Sequence, residues 1–564
     1  MIVKMNPKMN RISLKIAGVL AFSVLVVLVL AVFANSMTKP LGHDEQMYCT
    51  AGFLLAQGKM IYRDFSYVAQ MPYHPLLCAG IFKLLNTTYY LLTVRITSSL
   101  CDVFIIICII GIYCRAFGYS PAGLLLGLAG AVMYVFNPFV DYANGFAWNH
   151  DLITLCVIFS FWIFQNVNPE GKTGYWPVAA IAALLTLATC ARPTTALVQL
   201  LFFAALLIQQ CRVGSLPHHS NLIQQRRVGS LPHHSNLIQQ CRVGSLPHQS
   251  NMIQKTNSAK QKATATLIFL AVTAFLLIWP AWTILSAPRA FFLNLFRVPL
   301  LNSRFLHQTG VFYKKSEMIF IFLTTYTCFS LVLIAFYLFL SVVWNRKKLK
   351  IPDKTLMIFA CLLTIVFFII AFIPPTIWPQ YFAAPVLFLI VSFAYPLSYL
   401  RKLPGDRFFI IAVVLLIAGT LTAVSSNPVV LERIPQLLAP QTWQPIQLHN
   451  ISQDIAGKTK TPKLALTLGP LYAIEGGCKI YTEFSTGPFV YRIADYLSPS
   501  DRRLLNAVGP KSLDELPQDS TPAVMILGLE PEFLEAPLYQ HIKPDNAAWD
   551  AKSYDAGPTA YFRR

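Results

Sequence analysis

Residues 41–75 read LGHDEQMYCTAGFLLAQGKMIYRDFSYVAQMPYHP and follow a long apolar segment. Asp44 and Glu45 stand side by side in this stretch, and Asp64 follows Arg63. Residues 1–425 contain ten acidic residues in all, so this one stretch holds three of them. Carboxylates at a membrane face are costly unless they are solvated, paired or used. The stretch is therefore the first candidate for a functional segment.

The composition excludes an ordinary soluble protein. Of the 564 residues, 55% are hydrophobic and 12% are charged, whereas about a quarter of the residues in soluble domains are charged. The net charge is +20, but residues 427–564 hold fifteen acidic and thirteen basic residues, so the excess lies in the apolar part of the chain. There it falls mostly in short loops, as the positive-inside rule requires. This distribution argues against a nucleic-acid partner.

The apolar segments predict a mostly α, polytopic membrane helix bundle. A spanning helix needs roughly 20 apolar residues, and about eleven such segments fit the chain. The basic clusters at residues 346–350 and 401–402 place the N-terminus in the cytoplasm and the C-terminal region outside. We therefore expect a multi-pass protein of the cell (inner) membrane, with an uncleaved first helix rather than a signal peptide. The predicted segments are 14–35, 88–114, 120–137, 148–166, 175–191, 194–210, 264–286, 317–343, 355–373, 380–399 and 408–425.

The chain divides into two predicted domains, 1–425 in the membrane and 426–564 outside it. The membrane domain has an external loop at 36–87, and its cytoplasmic loop at 209–262 contains three copies of a fifteen-residue repeat beginning CRVGSLPHHSNLIQQ. Histidines in the repeats allow a metal-binding interpretation, but a duplicated surface insertion explains them as well because long loops add little closure entropy.

The region 426–564 predicts a small α/β domain on the outer face. Short apolar runs at 464–468, 479–481 and 523–527 are typical of buried strands, and residues between the first two favour a helix. The loop EFSTGPF at 483–489 is either a place to hold an acceptor or a structural turn.

The first external loop resembles that of the GT-C membrane glycosyltransferases. An adjacent Asp-Glu after the first helix, a Tyr-Arg-Asp-Phe at 62–65 and a Pro-rich entry to the next helix carry the resemblance. The chain is most similar to the branch of protein mannosyltransferases and the lipid A aminoarabinose transferase. The resemblance covers residues 1–425. It implies an inverting enzyme that moves a sugar from a polyprenyl-phosphate-linked donor to a lipid, glycan or protein acceptor on the outer face, among membrane lipids.

The resemblance implies roles for the acidic residues. Asp44 occupies the position of the family's general base, with helix capping as the alternative. Glu45 is grouped with Asp44 as a catalytic candidate. Because it follows Asp44 directly, it points to another face of a helix, where it orients the loop or a neighbouring side chain. Asp151 corresponds to a second acidic residue that shapes the cavity, with a helix cap as the alternative. Asp64 is a weaker substrate-binding candidate because it can pair with Arg63.

Basic and aromatic candidates complete the predicted substrate site. Arg192 lies where two apolar helices meet, and a guanidinium suits a leaving phosphate. Arg95 lies inside an apolar helix, where it faces substrate or pairs with Asp102 or an outer carboxylate. Tyr381 begins a late helix and either contacts substrate or anchors the interface. His74, in the Pro-rich entry, is the last substrate-binding candidate.

No cofactor or metal is expected. His43, Asp44, His74, His150 and Asp151 are suitable ligand types, but no helical spacing fixes their geometry. A non-catalytic transporter or lipid-carrier-binding protein is the alternative function. The ionisable groups gather at the outer helix ends rather than at the midplane, where transporters place them, and a whole-glycan transferase lacks a supporting motif in the C-terminal region.

Overall fold

The computed structural model describes residues 7–165, 175–213, 247–346, 351–405, 407–517, 521–543, 548–555 and 557–564. The repeat tract between 214 and 246 and the basic residues 347–350 lie outside these ranges. The predictions for His218, His219, His233 and His234 of the repeats and for part of the cytoplasmic charge therefore fall on residues that are not described.

The first part of the chain is helical and includes two helices inside the loop that the sequence places outside the membrane. Several helices start at a proline with a capping side chain before it, a position where the missing N–H costs nothing. Ser120 Oγ accepts the N–H of Gly123, and Asn137 Oδ1 accepts that of Phe139. The helices are α1 (Pro7–Thr38), α2 (His43–Ala56), α3 (Tyr73–Leu85), α4 (Tyr90–Ala116), α5 (Pro121–Val135), α6 (Pro138–Ala143), α7 (His150–Phe164), α8 (Trp176–Thr189) and α9 (Ala196–Val213).

The second group of helices completes the bundle. A π-helical turn at Leu293–Arg297 joins two short helices, Pro288–Phe292 and Val298–Gln308. The helices are α10 (Pro247–Ser286), α11 (Pro288–Phe292), α12 (Val298–Gln308), α13 (Lys315–Thr324), α14 (Tyr326–Trp344), α15 (Ile351–Phe372), α16 (Ala383–Ser392), α17 (Ala394–Arg401) and α18 (Arg407–Ser426).

All eleven predicted spans contain helix, and the predicted membrane bundle is confirmed. Within the described residues, seven helical segments are long and apolar enough to cross a membrane. The other four predicted spans, which include α5 and α7, are shorter. Helix α5 packs closely on α4, since a Cβ at Gly127 would lie 2.9 Å from the Cα of Ile110. The long segments are Gly18–Thr38, Tyr90–Ala116, Ala263–Ser286, Tyr326–Trp344, Lys354–Phe372, Pro379–Arg401 and Arg407–Ser426.

A five-stranded mixed sheet lies in the C-terminal region, in the order β2-β1-β3-β5-β4. Strand β1 pairs in parallel with β2 and β3, and β5 pairs antiparallel with β3 and β4. Strands β1 to β3 fall on the three predicted runs. The elements are α19 (Val429–Glu432), α20 (Gln444–Lys458), β1 (Leu464–Thr467), α21 (Leu471–Ile474), β2 (Lys479–Ile480), α22 (Pro488–Tyr491), α23 (Pro499–Leu504), β3 (Val524–Leu527), α24 (Glu532–Ile542), β4 (Trp549–Ser553) and β5 (Thr559–Arg563).

Buried polar contacts fix the C-terminal region against the ends of α2 and α4. The carboxylate of Glu475, which is 0% exposed, accepts the N–H of Leu91 at 2.7 Å and contacts His449 at 3.0 Å. Gln46 Oε1 on α2 accepts the N–H of Leu471 at 3.1 Å. A buried charged group is stable only with such partners. Helix α2 is therefore held between the membrane bundle and the sheet.

Candidate functional site

The start of α2 separates Asp44 from Glu45. The helix begins at His43, and the N–H of Gly42 before it donates to the Glu45 carboxylate at 2.7 Å. Neighbouring residues of an α-helix point about 100° apart. Asp44 is consequently partly exposed, whereas Glu45 is 0% exposed.

Glu45 and Arg95 form an ion pair in which both side chains are fully buried. Arg95 donates from Nε and Nη2 to the two carboxylate oxygens at 2.8 and 2.7 Å. The same carboxylate accepts the N–H of Ala147, and Arg95 also donates to the carbonyls of Ser36 and Lys39. This pair therefore ties the start of α2 to α1, α4 and the α6–α7 loop. These contacts are structural, and the catalytic role of Glu45 and the substrate-binding role of Arg95 stay predictions.

Positively charged side chains lie near the Asp44 carboxylate, but no hydrogen bond within the described part of the fold holds it. No hydrogen bond from any described residue reaches it. Burial raises the pKa of Asp44, and the opposing positive charges, in decreasing order, are those of His43, Arg492 and Arg192. A carboxylate that combines partial burial, a raised pKa and no structural partner is suited to take up a proton.

Arg192 and Tyr381 come from the helical bundle and contact each other. The turn Pro193–Thr195 between α8 and α9 positions Arg192, whose Nη2 donates to Asn149 Oδ1 at 3.3 Å. Its guanidinium carbon lies 5.9 Å from the centre of the Tyr381 ring, a cation–π distance. Among the described carboxylates, none is within salt-bridge distance of Arg192. The structure thus brings Asp44, Arg192 and Tyr381 together with a cation free for an anion.

Arg492 comes from the C-terminal region and was not predicted from the sequence. Its Nε donates to Asn302 Oδ1 at 2.7 Å, and its guanidinium carbon lies 5.0 Å from the Phe489 ring and 5.7 Å from the Phe305 ring. Burial lowers the pKa of Arg492 to about 10, against the opposing charges of Glu530 and Asp44. The sequence signal was indirect: Arg492 follows the distinctive loop 483–489 by three residues.

His43 connects α2 to the C-terminal region next to Asp44. Its Nδ1 lies 2.7 Å from Glu530 Oε1, and the His43 side chain is 63% exposed while that of Glu530 is 6% exposed. The hydrogen bond to Glu530 raises the pKa of His43. This contact closes one side of the site.

Two other candidates lie in structural contacts. Asp151 is 0% exposed and accepts the N–H of Gly145 at 3.0 Å, which positions the loop before α7. Asp64 pairs with Arg63 at 2.7 Å and accepts the N–H of Met60. No finding tests their substrate-binding roles, which stay predictions.

His74 and Asp102 complete the account of the predicted contacts. The ring of His74 packs edge-on against Tyr48 at 5.1 Å and lines a small cavity beside Trp148. The suggested pairing of Arg95 with Asp102 does not form. Asp102 instead accepts hydrogen bonds from Asn144 and Tyr134, while Arg95 takes the outer carboxylate of Glu45. The role of His74 in substrate binding also stays a prediction.

The described residues contain no group of three or more His, Cys, Asp or Glu side chains arranged to hold a metal ion. His43 and Asp44 lie at the start of α2, whereas His150 and Asp151 are buried at the start of α7. The ligand set considered from the sequence is thus divided between separate surroundings.

A membrane helix bundle that carries a C-terminal sheet is a fold that this chain shares with solved structures of low sequence identity. Two solved structures of ArnT from Cupriavidus metallidurans are similar to this chain over almost its whole length. The structure bound to undecaprenyl phosphate has 13% sequence identity and a TM-score of 0.54, and the match covers 96% of this chain and 98% of that chain. The apo structure has 12% identity and a TM-score of 0.52, with 96% and 97% covered. At these identities the likeness shows the fold. No family model and no curated protein matches the sequence.

Proposed function

We propose that the protein is an inverting membrane glycosyltransferase that uses a polyprenyl-phosphate-linked sugar, with Asp44 as general base. The observation that carries the proposal is the Asp44 carboxylate, which has no hydrogen-bond partner among the described residues and has two arginines nearby. The GT-C fold and the undecaprenyl phosphate bound to ArnT support the donor class. An acceptor hydroxyl is included in the proposal because a hydroxyl needs a base to take its proton as it attacks.

The proposed reaction is a single displacement. An acceptor oxygen attacks the anomeric carbon, the bond from that carbon to the phosphate oxygen breaks, and the lipid phosphate leaves with the electron pair. Asp44 takes the hydroxyl proton, and its raised pKa makes it a better acceptor at neutral pH than an ordinary aspartate. Arg192 stabilises the charge that develops on the departing phosphate, since its planar fork can bond two oxygens. Tyr381 holds the guanidinium in place.

We further propose that the site faces the outside of the cell membrane and that the N-terminus is cytoplasmic. Arg115 ends α4 and Arg401 ends α17, at the helix ends opposite the site, and Arg401 donates to Ser120 Oγ at 2.8 Å. These basic residues therefore gather at one end of the bundle, in agreement with the positive-inside rule. The C-terminal domain, residues 426–564, then lies outside the cytoplasm.

The test measures the amount of polyprenyl-phosphate-linked sugar in membranes of cells that lack the gene. We expect the unconsumed donor to accumulate and the wild-type gene to restore its normal level. Asp44→Asn should fail to restore it, because loss of a general base lowers the rate by about 100- to 10,000-fold. Glu532→Gln, a change at an exposed carboxylate of α24, is the matched control and should restore the level.

Equal restoration by Asp44→Asn and by the wild type would reject the assignment. That result would instead favour the alternative, a non-catalytic transporter or lipid-carrier-binding protein. Immunoblotting of the membranes would establish that the variant is present in equal amount.

A further inference from the structure

Arg492 has an unusual combination of rigidity and availability. Its Nε is held by Asn302, and the rings of Phe489 and Phe305 fix the plane of the guanidinium. Among the described residues, no partner hydrogen-bonds to its two terminal nitrogens, and no carboxylate is within salt-bridge distance. A mostly buried cation without a paired anion is unfavourable unless a ligand supplies one.

The carboxylates near Arg492 do not satisfy it. Glu530 directs Oε1 to His43 at 2.7 Å, and Asp44 acts on Arg492 only through its charge, beyond hydrogen-bond distance. His43 faces the same space and is itself affected by Arg492. The free edge of the guanidinium therefore remains open beside the candidate base.

Two guanidinium groups from different parts of the fold thus act on the charge of Asp44. Arg192 belongs to the α8–α9 turn and stacks on Tyr381, whereas Arg492 belongs to the C-terminal region and lies between Phe489 and Phe305. A glycosyl donor with one phosphate needs one such group for its leaving oxygen. The second group has no role in that step.

We propose that Arg492 forms a second anion-binding subsite, which takes a phosphate monoester or carboxylate of the substrates other than the donor phosphate at Arg192. The planar fork of an arginine suits both anions because it donates two parallel hydrogen bonds. The proposal rests on the proposed function and narrows the substrate class: one of the two substrates carries an additional negative charge near the reacting hydroxyl.

The test uses the purified full-length protein in detergent, with binding followed by isothermal titration calorimetry. Phenyl phosphate is titrated into protein already saturated with undecaprenyl phosphate, and benzoate in a parallel arm separates phosphate from carboxylate preference. We expect the wild type to bind at least one of the two anions under these conditions. Arg492→Gln should weaken that binding by about 10-fold or more, as loss of a charged hydrogen bond does, and should leave undecaprenyl phosphate affinity within about twofold.

Three variants serve as controls. Arg192→Gln should weaken undecaprenyl phosphate binding by about 10-fold or more and should leave the affinity for the small anion within about twofold. Asn302→Ala keeps the charge of Arg492 but releases its Nε, so a smaller loss is expected. Arg304→Gln changes an exposed arginine of α12 that packs on Tyr496 and should bind both probes as the wild type does. Undecaprenyl phosphate binding shows that Arg492→Gln, Asn302→Ala and Arg304→Gln are folded, and retained binding of the small anion shows it for Arg192→Gln.

Displacement of both anions by undecaprenyl phosphate would overturn the proposal, because it would mean a single shared site. Unchanged binding of the anions to Arg492→Gln would overturn it too, as would no binding to the wild type. If Arg492 served only to influence the protonation of Asp44, Arg492→Gln would shift the pH profile of the transfer rate but would bind the anions as the wild type does. The function proposed for Asp44 has its own test in the donor measurement, so the two can fail separately.

Discussion

The ion pair between Arg95 and Glu45 provides a demanding test because it determines where α2 begins. Both side chains are 0% exposed, and the Glu45 carboxylate accepts two hydrogen bonds from Arg95, one from Ala147 and one from Gly42. Arg95→Met removes the positive charge and all three donor nitrogens, including the one that donates to Ser36 and Lys39, but keeps the volume close to that of the original side chain. Glu45 is then left as a buried carboxylate with two backbone donors.

The expected cost follows from the burial. Removing one partner of a fully buried pair costs about 3–5 kcal/mol in the free energy of unfolding. Arg63→Met breaks another Arg-carboxylate pair of nearly equal length, but its side chains are 54% and 31% exposed, so solvent screens the charges. The expected cost there is below about 1 kcal/mol. The two variants differ mainly in the exposure of the pair.

Titration with sodium dodecyl sulfate in mixed micelles unfolds the two variants under identical conditions and so compares their free energies of unfolding. Adding Glu45→Gln to Arg95→Met should recover part of the loss, because a neutral amide still accepts the N–H of Ala147 and no charge remains buried. A cost for Arg95→Met as small as that for Arg63→Met would refute the reasoning.

Three further outcomes are expected. The transfer rate should fall as the pH is lowered through the pKa of Asp44, which lies above the usual value of about 4 for aspartate because burial raises it. Arg492→Gln removes a positive charge and should move this fall in rate to higher pH. A fall in rate at pH 4 in both the wild type and Arg492→Gln would contradict the prediction. The pKa of His43 lies above its model-compound value of 6.5 because of the bond to Glu530, so that contact stabilises the fold fully below pH 6.5 and loses its effect as the pH rises through the folded-state pKa. Glu530→Gln should therefore lower the melting temperature at pH 6 more than at pH 9, and an equal effect at both would exclude the linkage. Arg192→Lys should weaken undecaprenyl phosphate binding by about 10-fold, because an ammonium group lacks the planar fork; calorimetry with unchanged affinity would remove Arg192 from the phosphate site.

The sequence predicted the helices well because a membrane span leaves a long apolar run, and three of the five strands because each falls on a short apolar run. Strands β1 and β3 are mostly buried as expected, whereas β2 lies at the edge of the sheet with Lys479 exposed. It also indicated Asp44, Arg192 and Tyr381, which the fold brings together. It left the partner of Arg95 open between Asp102 and an outer carboxylate. The sequence can show that Arg95 and Asp102 lie two turns apart on one helix. The contact between Arg95 and Glu45, which are fifty residues apart in the chain, depends on how the helices pack.

Arg492 illustrates the other limit. It lies more than 400 residues after Asp44 in the chain, and its position depends on how the C-terminal region docks on α2 through Gln46 and His43. Neither composition nor spacing contains that information. The same is true of Asn302, which lies in α12 and accepts the hydrogen bond from Arg492 Nε.

The most direct test of the site is the position of a lipid phosphate in a cryo-electron microscopy structure of the protein with undecaprenyl phosphate. The account predicts phosphate oxygens at hydrogen-bond distance, about 3 Å, from the Arg192 guanidinium, with the Asp44 carboxylate facing the same space. A phosphate bound away from Arg192, or an Asp44 carboxylate turned from it, would contradict the account.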